Sequence, residues 1–100
     1  MTVVYWTPEA LHRLRELESY VSQQSPGVAL DLVARILLRT RQLGLSPQSG
    51  RQIPEYQDRH LRELLERPYR IIYRDLPEKV VIISVMHYRQ LLPTDPNHLK

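Results

Sequence analysis

Arginine offers most of the chemistry in this sequence. Twelve of the fourteen basic side chains are arginines, and a guanidinium fork suits bidentate contacts to phosphate or carboxylate while holding its water more weakly than an ammonium does. The stretch that sets them out best is Pro68-Tyr69-Arg70-Ile71-Ile72-Tyr73-Arg74. Its period of two predicts a strand with Tyr69, Ile71 and Tyr73 on one side and Arg70, Ile72 and Arg74 on the other. One side suits a core and the other an anionic partner. A net charge of +3 and a pI near 9.5 favour nucleic acid or an acidic protein, although a solvated basic face accounts for so modest a charge equally well. Cysteine is absent, which excludes disulfides and thiolate metal sites and suits a reducing compartment. No cofactor or metal is expected.

The elements that position these side chains can be read in order. One hundred residues make one domain with a single core. Val3-Val4-Tyr5-Trp6 reads as a short strand. Thr7-Pro8 then gives a cap and a first-turn proline, and Leu11, Leu14, Leu17 and Val21 fall at helical spacing, predicting a helix over 8–23. Ser25-Pro26 repeats the signal. Ala29, Leu32, Val33, Ile36, Leu37, Thr40 and Leu43 then form one stripe, opposite Asp31, Arg35, Arg39, Arg41 and Gln42, with Gly44 as a C-terminal stop. Two such helices make a hairpin that needs a sheet beneath it.

Residues 45–59 carry no strong period and read as a long surface loop. His60–Glu66, Tyr69–Arg74 and Val80–His87 read as three strands joined by short turns, hence an antiparallel meander. The fold class expected is α+β: an N-terminal strand, a helical hairpin and a three-stranded meander packed on it. In the last strand, Val81, Ile83 and Val85 would share one side with His87, and Val80, Ile82 and Met86 the other. That second face, with Ile72 and Leu64 beside it, needs a cover from the tail or from a partner chain. The domain is expected to span residues 1–92, with 93–100 a flexible tail. No apolar run reaches the roughly 20 residues of a membrane span and no secretory signal is visible, so a cytoplasmic protein without membrane contact is expected.

The order of Pro47-Gln48-Ser49-Gly50-Arg51, Leu61-Arg62-Glu63-Leu64, Tyr69-Arg70-Ile71-Ile72-Tyr73 and Val85-Met86-His87-Tyr88-Arg89 resembles the RelE/ParE superfamily of toxins from bacterial type II toxin–antitoxin modules. The Ser-Gly-Arg, Arg-Glu-Leu and Tyr-Arg-Ile-Ile-Tyr blocks most resemble the ParE branch. The resemblance implies neutralisation by a cognate antitoxin in a hetero-oligomer. The antitoxin's C-terminal segment would cover the second face, through Leu64, Ile72, Ile82 and Met86.

Two targets follow from the two branches. RelE-like members cleave messenger RNA on the ribosome, which takes a base, an acid and cations around the crowded phosphate. Arg70 and His87 match positions that serve catalysis in some of those members, and an imidazole of ordinary pKa is a natural proton carrier. Ser49, however, stands where some ribonucleases carry a glutamate, with only Glu55 or Glu63 as substitutes. A lone histidine on a core face is also more often structural. ParE-like members poison DNA gyrase and need a binding surface only. Arg51, Arg62, Arg74, Tyr88 and Arg89 would then contact target or phosphate, with Gln90 replacing a second arginine frequent in the family. The gyrase target is the favoured expectation, and the ribosome with its messenger the alternative.

Overall fold

The structure is a computed structural model describing residues 2–99. Both helices start where their caps predict. Helix α1 spans Pro8–Ser22, and Thr7 Oγ1 accepts the Ala10 N–H at 3.0 Å. Helix α2 spans Pro26–Gln42, and Ser25 Oγ accepts the Val28 N–H at 3.3 Å. Each cap satisfies a donor that the first turn would otherwise leave unpaired, a contribution of about 1 kcal/mol.

Five strands form one sheet: β1 (Val3–Trp6), β2 (Arg51–Gln52), β3 (Leu61–Glu66), β4 (Tyr69–Asp75) and β5 (Lys79–His87), in the order β1-β5-β4-β3-β2. The meander β3-β4-β5 is antiparallel as expected, and β1 joins its far edge parallel to β5, with Tyr5 opposite Val81. The long loop contributes a two-residue strand, β2, paired antiparallel with β3. Gly44 differs from its expected role, because no glycine among the described residues has a positive φ. A Cβ on Gly44 would lie 2.9 Å from the Thr2 carbonyl oxygen, and the Gly44 carbonyl accepts the Thr2 N–H at 2.8 Å. The residue is small so that the start of β1 can close against the end of α2.

The sheet has two covered faces. Tyr69, Ile71 and Tyr73 face the hairpin as predicted, packing with Leu14, Leu17, Leu32 and Ile36. The expected sides of β5 do not hold along its length. Tyr73 pairs with Ile82 but the preceding Ile72 pairs with Ser84, so Ile83 is an extra residue in β5. This bulge reverses the alternation. Val80 and Ile82 therefore lie under the hairpin together with Val85, whereas Ile83 and Met86 lie on the second face. Leu64 also belongs under the hairpin, because it pairs with Ile71 rather than Ile72. The second face carries a smaller cluster of Ile53, Tyr56, Leu61 and Ile72. Residues 92–99 lie over it: Leu99 is buried in the cluster, Leu92 packs beside it, and the Tyr56 hydroxyl donates to the Pro93 carbonyl at 2.6 Å. The tail expected to be flexible thus rests on this face.

The outer side of α2 is more apolar than its sequence pattern suggested. Leu37, expected in the core stripe, is exposed, as are Leu30 and Leu38.

Candidate functional site

Three strands bring their charged residues together on the second face. Glu63 of β3 stands opposite Arg51 of β2 and Ile72 of β4, and its side chain is 0% exposed. A carboxylate so placed is stable only if its lost hydration is replaced. Arg51 donates to one oxygen from Nε and Nη2, each at 2.7 Å. Arg70 donates to the other from Nη1 at 3.1 Å. Arg70 reaches further with Nη2, donating to the Tyr88 carbonyl at 2.8 Å. Its side chain is only 12% exposed, and its buried Nε has no hydrogen-bond partner. The chain Arg51–Glu63–Arg70–Tyr88 thus crosses the sheet from β2 to the residues that follow β5.

The remaining strand arginines are also engaged. Arg74 donates to Asp58 at 2.7 Å. That bond, reinforced by the His60 N–H donating to the same carboxylate at 2.9 Å, holds the Asp58 carboxyl below its usual pKa. Arg62 donates to the Gly50 carbonyl at 2.8 Å and lies 3.4 Å from the Asp75 carboxylate. Between them the Tyr73 hydroxyl accepts the Gly50 N–H at 2.9 Å and donates to the Pro47 carbonyl at 2.7 Å. Burial raises the pKa of this phenol, so it stays neutral and keeps both bonds. Gly50 is obligatory for this contact, since a Cβ there would sit 2.7 Å from both the Tyr73 hydroxyl and the Glu63 carbonyl oxygen.

His87 lies on the hairpin side at the end of β5. Tyr69 meets its ring edge-on at 5.6 Å between centroids, and Tyr88 stacks on it at 5.0 Å. Its Nδ1 accepts the Arg89 N–H at 3.1 Å, which places the ring proton on Nε2. Tyr88 and Arg89 are exposed and touch each other, the guanidinium carbon lying 5.7 Å from the tyrosine ring centroid.

The structure therefore joins Arg51, Arg70 and Tyr88 in one network, and puts His87 and Arg89 beside its end. Arg62 and Arg74 belong to separate pairs. Among the expected antitoxin contacts, Ile72 and Met86 share the second face, but Leu64 and Ile82 are buried under the hairpin. The centre of the network, Glu63, was foreseen only as a substitute acid. Its position two residues after Leu61 and two before Leu65 is the available signal, an acid at an inward-facing position that must find cations. Chemically, Arg70 has already spent its fork on a carboxylate and a carbonyl. No group of three or more His, Asp or Glu residues that could hold a metal occurs among the described residues.

Residues 4–92 match the family model described as the ParE toxin of the type II toxin–antitoxin system, parDE. The chain is a member of the ParE toxin family. This toxin is 38% identical over 90 residues to a Sinorhizobium fredii protein named "Putative toxin Y4kP", covering 90% of the chain and 92% of that relative. A solved structure of the chromosomal ParDE system from P. aeruginosa superposes with a TM-score of 0.71 at 26% identity, over 87% of the toxin and 96% of the other chain. The RelBE2 toxin–antitoxin complex from Mycobacterium tuberculosis, at 20% identity and a TM-score of 0.63, covers 86% and 96% of the two chains and shares the fold.

Proposed function

We propose that this ParE-family toxin inhibits DNA gyrase by binding it, breaks no bond itself, and is neutralised in the cytoplasm by a cognate antitoxin. The observation that carries the reading is the engagement of Arg70. A ribonuclease needs that guanidinium free for a developing phosphorane charge, whereas here it is held by Glu63 and the Tyr88 carbonyl. Glu63, the substitute acid, is held by the same contact and by Arg51. His87 is packed between two tyrosines with Nδ1 occupied. Arg70 and His87 then act as positioning residues that fix the Tyr88–Arg89 end, and those two exposed side chains, with half-free Arg51, make the target contacts.

The antitoxin is proposed to cover the second face at Ile72 and Met86. An apolar segment arriving there would take the place of Leu92 and Leu99, which makes residues 93–100 an appendage to a toxin unit of 1–92. No helix among the described residues is long and apolar enough to cross a membrane.

Expression of the chain should arrest growth, and co-expression of the antitoxin should restore it. Purified toxin is then added to gyrase with relaxed plasmid, and separately to translating ribosomes. Lost supercoiling or trapped linear DNA is the expected result. Codon-positioned cuts in messenger RNA with supercoiling intact would transfer the toxin to the ribonuclease reading.

A further inference from the structure

Helix α2 carries a second apolar stripe that none of the described residues covers. Leu30 is 68% exposed and Leu38 56%, and Leu37 and Ala34 are exposed between them. Gly27, Leu30, Ala34, Leu37 and Arg41 follow alternating steps of three and four, the spacing of a seam that packs against another helix. The buried stripe of Ala29, Leu32, Ile36 and Thr40 lies on the opposite side, so α2 is apolar on both faces. Isolated exposed leucines are ordinary, but a contiguous row of them along one helix marks an interaction surface.

We infer that this surface is the seam of a homodimer, in which the α2 helices of two copies pack antiparallel about a two-fold axis near residues 35 and 36. In that register Ala34 faces the large side chains of the partner's Leu37 and the partner's Leu38, and by symmetry the reverse contact is made, small against large as close helix packing requires. The charges agree with the same register. Arg41 has no ion-pair partner among the described residues, while the Asp31 side chain is 72% exposed with only a 3.4 Å contact to Arg35. Antiparallel packing sets each Asp31 beside the partner's Arg41, twice per dimer. The other arginines of the helix, Arg35 and Arg39, turn away from the seam toward Glu66. A second copy is the occupant whose shape and charge complement this stripe from residues of the stripe itself. The seam uses neither the second face nor Tyr88, Arg89 and Arg51, so it leaves the proposed antitoxin and target surfaces open.

Sedimentation of the purified chain between about 1 and 200 µM tests this. The expected result is a concentration-dependent rise from 11.9 kDa to twice that mass, abolished in Leu30→Glu/Leu38→Glu. Asp31→Arg and Arg41→Asp should each weaken dimerisation about two- to fivefold, and the double swap should restore it. All four positions are exposed, and circular dichroism verifies that each variant is folded. A monomer across the whole range overturns the inference, as does a dimer indifferent to the leucine substitutions. Monomeric toxin whose antitoxin affinity collapses in Leu30→Glu/Leu38→Glu overturns it too, since the stripe would then belong to the antitoxin.

Discussion

Replacing Glu63 by glutamine keeps the volume and removes the charge that two arginines share. Their responses should differ. The Arg51 side chain is 62% exposed and swings into water, so its loss is that of a surface pair, at most about 1 kcal/mol. Arg70 cannot do the same. At 12% exposure it keeps a desolvated charge that faces neutral acceptors only, the glutamine amide oxygen and the Tyr88 carbonyl, and breaking a buried ion pair in this way costs about 3–5 kcal/mol. Glu63→Gln should therefore lose about 3 kcal/mol or more, which for a domain of this size lowers the melting temperature by about 12–24 °C. Urea unfolding at neutral pH, followed by far-UV circular dichroism, reads the loss directly. Arg51→Ala takes both bonds from one oxygen of the buried Glu63 carboxylate and should cost about 1–3 kcal/mol, less than Glu63→Gln because water can enter where the exposed guanidinium stood. Glu63→Leu/Arg70→Met removes both charges and should recover much of the stability. A loss under about 1 kcal/mol in Glu63→Gln would refute the premise that Arg70 is trapped, and with it the argument that its fork is unavailable to a phosphate.

Other outcomes follow from the same contacts. Tyr73→Phe leaves the Gly50 N–H and Pro47 carbonyl without their partner and should cost about 1–3 kcal/mol in the same assay, while Gly50→Ala should be worse because the added methyl meets backbone as well as the phenol. The Asp58 carboxyl is depressed in the folded state, so its contribution is complete above the ordinary Asp pKa and is lost as pH falls through the folded value. Asp58→Asn should flatten that acid limb of a stability–pH profile without changing its shape above neutrality. Leu99→Ala, followed by thermal melting, should cost about 2–5 kcal/mol, the usual range for a buried leucine, and an unchanged melt would mean that the tail does not hold its place.

Much of this was legible in the residues. Thr7-Pro8 and Ser25-Pro26 gave both helix starts, because capping is local chemistry, and the alternation in Tyr69–Arg74 gave the correct side for those six residues, while Asp75, read as turn, extends β4. What escaped is what depends on partners far away in sequence. A bulge at Ile83 is set by pairing with β4, so nothing in Val80–His87 announced that its sides would exchange halfway, and Ile82 and Met86 were placed together. The arginines read as free cations because their carboxylates, Glu63, Asp58 and Asp75, come from other strands and loops. Leu37 was assigned to the core since a single stripe was expected on α2, and the helix has two.

The pairing of β1 with β5 makes closure of the sheet wait for β5. Val3 bonds into the sheet beside Lys79, so the first strand made has no neighbour until the last has been made. Between completion of α2 at Gln42 and of β5 at His87 a ribosome adding ~5–20 residues per second needs about 2–9 s. Throughout that interval Tyr69, Ile71 and Tyr73 have no closed sheet in which to sit, and the Arg70–Tyr88 bond cannot exist. Until β5 emerges, a nascent chain cannot present the Tyr88–Arg89 end that Arg70 fixes, so on the proposed reading it should not yet engage its target. A truncated chain ending before β5 should have no toxicity at all. An antitoxin arriving in those seconds meets exposed strands rather than a finished surface.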